Sequence, residues 1–253
     1  MSLTDRSLDV LATFTPDHPT RSLQEISNES GLPLTTTHRI VGDLLAWGAL
    51  ERTREGRLQV GLRLWRVASL APRGLGLREV ALPHMEDLFV ATGENVQLAV
   101  REQCDAVFVE RLTGRRSVTV LTRVGDHFPL HATGVGLVLL AHAPADVQEE
   151  VLSRPLRTWT EHTLDDPARL RAVLADVRRA GVAVSDRQVT LDAISVACPI
   201  RDAHGEVVAA LSVVVRYGTV SPVALAPALR TATRAISRAL GAPTPEFRQT
   251  ETV

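Results

Sequence analysis

The stretch SGLPLTTTHRIVGDLLAWGALERTREGRLQVG, Ser30 to Gly61, sets a helix that opens on three threonines directly before an arginine-rich hairpin. A surface helix chosen for stability carries Glu, Lys, Gln or Arg at such positions, because threonine's branched Cβ lowers helix propensity. From Leu34 to about Trp47 the apolar residues Leu34, Ile40, Val41, Leu44 and Leu45, joined by the methyl of Thr37, fall on one stripe, and Thr35, Thr36, Arg39, Gly42 and Asp43 fall opposite. Upstream, TRSLQEISNESG predicts a helix with Ser22 as N-cap, Glu25 completing a capping box and Gly31 at its end. Downstream, ALERT, REG and RLQVG predict strand, turn and strand. Two helices with a short corner between them, the first closing on glycine, followed by a two-stranded ribbon, make a winged helix-turn-helix. The threonines then have a chemical reason. Their hydroxyls can reach phosphate oxygens or base edges, their methyls can touch a thymine methyl, and Arg39 can bind guanine bidentately, with the wing's Arg52, Arg54 and Arg57 near a phosphate strand.

Working outward, DRSLDVLATF places Leu8, Leu11 and Phe14 at helical spacing before TPDHP stops the helix. After the ribbon, GLRLWRVASLAPRG predicts a linker helix that is apolar over most of its circumference and so needs cover from a second subunit. A Pro/Gly boundary at residues 72–76 follows. From Leu77 the pattern alternates. LREVALPHMEDLFVATG is helical, NVQLAVRE, DAVFVERL and SVTVLTRV are β-rich, and HATGVGLVLLAHAP is an apolar helix. DDPARLRAVLADVRRAG predicts a helix with Asp166 as N-cap, Pro167 at its first position and Gly181 beyond its end. VAVSD, ISVACPIRD and EVVAALSVVVR are strands, and SPVALAPALRTATRAISRALG closes the chain as a helix. Strand runs with flanking helices predict an α+β sheet domain. The expected organisation is a DNA-binding domain over 1–61, a linker helix over 62–76, a sheet domain over 77–243 and a tail over 244–253.

Composition excludes several chemistries. All 28 basic residues among the 253 are arginine, which removes Schiff-base, Walker-lysine and Ser–Lys mechanisms. Cys104 and Cys198 belong to no Cys/His cluster of ligand spacing, so they read as structural thiols, and no metal or cofactor is expected. There is no G-x-S-x-G elbow and no Gly-rich phosphate loop, so the chain is not expected to be an enzyme. No apolar run approaches the roughly 20 residues of a membrane span, and MSLTDRSLDV shows no secretory pattern, so a cytoplasmic protein is expected. The formal net charge of −1 is uninformative, but between Leu34 and Arg66 six arginines stand against three acids, a modest local basic footprint.

The stretches SGLPLTTTHRIVGDLLAWGALER, LREVALPHMEDL, FPLHATGVGLVLLA, RRAGVAVSD and ISVACPIRDAHGEVVAALSV, in this order and spacing, resemble the IclR family of bacterial transcriptional regulators from about Arg6 to Gly241. The resemblance implies a winged helix-turn-helix amino domain, a dimerising linker helix and a GAF-like carboxy domain that holds a small-molecule effector. The recognition helix matches Thr35, Thr36, Thr37, His38 and Arg39, and the DNA-contacting set becomes those five with Ser22, Arg52, Arg54 and Arg57. Carried over position by position, the effector walls are Val120, Thr122, Phe128, Gly134, Val135, Ser185, Asp186, Ala193, Ser195, Ser212 and Val214. Hydroxyls on Thr122, Ser195 and Ser212, with backbone amides near Gly134, suit a carboxylate or another polar head. The chain departs from many members in having Leu137 for a lysine and Asp192 for a glycine, and an Asp192 facing the cavity would repel an anion. The expected function is a regulator that binds operator DNA as a dimer or dimer of dimers, through its N-terminal and linker helices, and responds to a small organic or aromatic acid. The alternative is a DNA-binding regulator whose pocket is vestigial.

Overall fold

The computed structural model describes residues 2–71, 76–115 and 117–243. The chain divides into two compact units, Met1–Leu75 and Gly76–Val253.

In the first unit three helices, α1 (Leu3–Ala12), α2 (Leu23–Ser30) and α3 (Leu34–Trp47), enclose Val10, Ile26, Ile40 and Val41, and a small sheet adds Leu50 and Leu58 beneath them. The sheet runs β1-β3-β2, from β1 (Thr20–Arg21), β2 (Leu50–Arg52) and β3 (Leu58–Val60), all antiparallel. The capping box at Ser22 and Glu25 forms, and Gly31 ends α2 in the left-handed conformation at φ 66°. That turn carries the chain through Leu32 and Pro33 into α3. Gly61 is required for another reason. A Cβ there would sit 2.4 Å from the carbonyl oxygen of Gly48, so only glycine lets the end of the wing lie against the end of α3.

Two expectations shift here. Val10, rather than Leu8, is the α1 residue in the core, and Leu8 and Leu34 stand exposed. The linker helix α4 spans only Leu62–Ala68, roughly 10 Å at 1.5 Å per residue. Residues 72–75 of the expected linker lie outside the described set. None of α4 is buried: Leu62 is 65% exposed and Trp65 56%.

The second unit is a six-stranded antiparallel sheet, order β6-β5-β4-β9-β8-β7, with helices on both faces. Its strands are β4 (Asn95–Glu102), β5 (Asp105–Leu112), β6 (His127–Pro129), β7 (Ala183–Asp186), β8 (Ala193–Arg201) and β9 (Val207–Arg216). Alternation along the central strands makes the two faces chemically different. Val96, Leu98, Ile194, Val196, Leu211 and Val213 pack with α5 (Leu77–Thr92) and α9 (Pro222–Ala239) in one core. The intervening positions are small or polar: Gln97, Ala99, Ser195, Ala197, Ala210 and Ser212. Against this second face lies α6 (Gly134–Ala141), every residue of which is buried, and behind it α7 (Ala145–Ser153) and α8 (Pro167–Ala180). Small residues let α6 approach the sheet closely. A Cβ on Gly134 would meet Ser195 Oγ at 2.7 Å, and one on Gly136 would meet the Leu130 carbonyl oxygen at 2.3 Å.

The segment 117–124, expected as a strand, is a loop. Its place at the edge of β5 is taken by β6, which pairs Phe128 with Ala106. Side chains pin the loop instead: Asn95 Nδ2 donates to the Val118 carbonyl at 2.7 Å, and Arg111 donates to the carbonyl of Thr122. The helix with Asp166 as N-cap, Pro167 first and Gly181 at its end forms as expected, while α7 and β1 were not anticipated.

Candidate functional site

Two surfaces collect the predicted residues. On α3, Thr35, His38 and Arg39 are exposed along one face with Gly42 and Asp43, and Thr36 is half-buried beside them. Arg39 touches its only ion-pair partner among the described residues, Asp43, at 4.0 Å across one turn, too loosely to hold the guanidinium against a better acceptor.

Thr37 is a correction. It is fully buried and its hydroxyl donates to the Pro33 carbonyl at 3.2 Å. It lies three and four residues before Ile40 and Val41, on the helix's inner stripe, and so cannot face a duplex. Arg57 is half-exposed but engaged within the unit. Its guanidinium donates to Glu25 Oε2 at 2.6 Å and to the Thr20 carbonyl at 3.1 Å, tying the wing to the start of α2. The Ser22 backbone amide, donating to Glu25, is the main reason that carboxyl is held below its usual range. The Ser22 hydroxyl accepts from the Glu25 amide at 3.2 Å and is engaged as a cap. Arg52 donates to the Gly56 carbonyl at 3.0 Å and braces the wing turn. Arg54, exposed at that turn, has no ion pair among the described residues.

The second surface is a cavity of about 60 Å³ between the sheet's small-residue face, the amino end of α6 and two loops. Seven of the eleven expected wall residues line it: Val120, Thr122, Val135, Ser185, Ala193, Ser195 and Val214. Four do not. Phe128 packs edge-on against Phe108 and stacks on Trp159, so the aromatic wall facing the cavity is Phe108. Gly134 is pressed against Ser195. Asp186 follows Ser185 on a strand, points to the opposite face and pairs with Arg187 at 2.9 Å. Ser212 lies opposite Gln97 in register, beneath the cavity, with its Oγ buried and unpartnered.

The lining also includes Gln97, Leu121, Thr133, Gln188, Val189 and Thr190, which sequence reasoning missed. Gln97 had a signal: with Asn95 it is polar within the otherwise apolar NVQLAV, and a buried polar group is the informative kind. The loop carrying Gln188 to Thr190 is held by Thr160 and Thr163, whose hydroxyls donate to the carbonyls of Arg187 and Gln188 at 2.7 and 2.6 Å. Arg187, just before it, takes a left-handed φ of 55°.

No lining side chain is ionisable. Asp192 is half exposed and pairs with Arg216 at 3.5 Å, away from the cavity, and Leu137 is buried in the core behind it. The described residues hold no group of three or more His, Cys, Asp or Glu that could bind a metal ion. None of their helices is long and apolar enough to cross a membrane.

Three helices with a wing, carried in one chain with a separate α+β unit, define a protein built on a winged helix-turn-helix module. The comparisons agree. The model of the IclR helix-turn-helix domain matches residues 3–54, and that of the bacterial transcriptional regulator IclR C-terminal domain matches residues 71–238. The chain belongs to the IclR family of DNA-binding transcriptional regulators, and its second unit has that family's GAF-like fold. It is a regulator and not an enzyme.

Among curated relatives it is 31% identical over 211 residues to the HTH-type transcriptional regulator BhcR of Paracoccus denitrificans, covering 83% of this chain and 75% of that protein. It is 29% identical to the transcriptional repressor IclR of Escherichia coli, covering 82% and 77%. Among solved structures, an IclR homolog from Microbacterium hydrocarbonoxydans complexed with 4-hydroxybenzoate is 39% identical, with a TM-score of 0.90 over 94% of this chain and 99% of that one.

Proposed function

We propose that the protein is a cytoplasmic regulator that binds operator DNA as a dimer or dimer of dimers and changes its operator affinity when a small organic or aromatic acid enters the carboxy-unit cavity. The observation that carries the sensing role is the cavity itself, lined by apolar and neutral polar side chains with hydroxyls and amides at its ends. At about 60 Å³ the cavity is small. The Microbacterium structure holding 4-hydroxybenzoate supports the same reading. Contact with DNA falls to Thr35, Thr36, His38, Arg39 and Arg54. Dimerisation falls to the uncovered apolar residues of the first unit, Leu3 and Leu8 on α1 and Leu62, Trp65 and Leu70 at α4.

The test is a titration of 4-hydroxybenzoate and other small acids against the full chain, read by thermal shift and by anisotropy of a labelled operator selected from random duplex DNA. A sensor shows both a ligand-dependent rise in melting temperature and an operator affinity changed by about 1–3 kcal/mol, with DNA changing ligand affinity by the same factor. A ligand that binds and leaves operator affinity untouched would make the cavity vestigial.

A further inference from the structure

The two ends of the cavity differ in hydrogen-bond character. At the β7–β8 end stand groups that can donate to an anion. The backbone amide of Val135, in the first turn of α6, has no acceptor among the described residues. The Ser195 hydroxyl lies beside Gly134. Gln188 is buried with its Oε1 accepting from Leu164 N at 3.4 Å, which leaves its Nε2 unengaged. Ser185, by contrast, already donates to the Ala132 carbonyl at 3.0 Å.

At the other end stands Gln97, also buried. Its Nε2 donates to Thr122 Oγ1 at 2.5 Å, which leaves Oε1, a pure acceptor, on the cavity side with no donor among the described residues. Ser212, directly across from Gln97 on β9, adds the unpartnered hydroxyl beneath it. Ser212 Oγ is buried with no partner among the described residues, and Gln97 Oε1 opens on the cavity, so an occupant that excludes water must supply Oε1 with a donor. The separation suits one ring. Gln97 is on β4 and Ser195 on β8, each beside β9, so their strands are roughly 9.5 Å apart.

We propose that Gln97 is the specificity-determining residue of the cavity: the ligand that fits presents an acceptor-only anionic group to the α6 end and must carry a hydrogen-bond donor, a hydroxyl or an amine, at its far end for Gln97 Oε1. This rests on the cavity being the effector site, as argued above. A ligand lacking the donor leaves Oε1 buried and unpaired, and one carrying an ether in its place sets acceptor against acceptor.

The experiment is calorimetric titration of the full chain with 4-hydroxybenzoate, benzoate and 4-methoxybenzoate, on wild type and on Gln97→Leu. Wild type is expected to prefer the hydroxy acid roughly 10- to 100-fold over either analogue, and Gln97→Leu to bring all three within about threefold by weakening the hydroxy acid alone. The wild-type ligand series tests the proposal even if the variant fails to fold. Equal wild-type affinities within threefold overturn the role of Gln97 and leave the cavity reading standing. A preference that survives unchanged in a folded Gln97→Leu also overturns it. Failure of all three to bind overturns the cavity reading and this inference together.

Discussion

Thr37 and Arg39 are two residues apart on α3 and face opposite ways, so truncating each should damage a different property. Thr37→Ala removes a buried methyl, about 0.8 kcal/mol, and a hydroxyl whose bond to the Pro33 carbonyl contributes about 0.5–1.5 kcal/mol. That carbonyl still accepts from the Thr37 amide at 2.9 Å, so no orphaned acceptor adds to the loss. The expected cost is about 1.3–2.3 kcal/mol, and for a unit of this size roughly 4–8 °C of melting temperature accompanies each kcal/mol. Arg39→Ala should leave the melt nearly unmoved, since its exposed pair with Asp43 at 4.0 Å is worth at most about 1 kcal/mol. Instead it should weaken the selected operator by about 1–3 kcal/mol and random DNA much less.

The assay is a pair of readouts on the same samples: thermal melting by circular dichroism, and anisotropy with specific and random duplexes at a temperature where both variants are folded. The crossover is the point. A Thr37→Ala protein that melts like wild type yet loses operator affinity selectively would mean that the reading face of α3 is assigned the wrong way round. Equal losses on both duplexes for Arg39→Ala would reduce that residue to a phosphate contact.

Three further outcomes are expected. Burial pushes the imidazoles of His131 and His142 below the usual histidine range, opposed in part by their bonds to the carbonyls of Arg157 and Val138. The unfolded chain therefore takes up protons first as pH falls below about 6.5, and stability present above that pH is lost with a slope of up to about 1.4 kcal/mol per pH unit for each proton; melts at pH 7.5, 6 and 5 should show it, and the double change to Gln should flatten it. Trp65→Glu should lower the sedimentation coefficient and operator affinity together if α4 is covered by a second copy, and unchanged values for both would remove α4 from the interface. Gly136→Ala should cost about 1–3 kcal/mol by overpacking, because the atom in the way is a backbone oxygen; an unshifted melt would show that α6 has room to move.

What could be read in the chain follows the range of the interaction that made it. The ends of α2 and α8 were legible because caps are local: Ser22 with Glu25, Asp166 with Pro167, and glycines at 31 and 181 act within a few residues. The exposed face of α3 was legible from a helical period, apart from Thr37, whose methyl placed it inside while the family resemblance placed it outside. Residues 117–124 misled because their β-rich composition satisfies a strand, yet whether they pair depends on β6 reaching the edge of β5 and on side chains of Asn95 and Arg111, contributed by other strands.

The cavity divides the same way. Its walls on regular elements, Val135, Ser185, Ala193, Ser195 and Val214, follow from alternation once the strands are known, and alternation equally rules out Asp186 beside Ser185. Gln97 obeys the same rule. Its meaning appears only when β9 and β8 stand next to β4, and that order arises from a connection more than a hundred residues long. The residue argued here to choose the ligand is therefore local in its signal and non-local in its significance. Its exchange should retune ligand choice without touching the caps, the wing or the α3 face that make the chain recognisable.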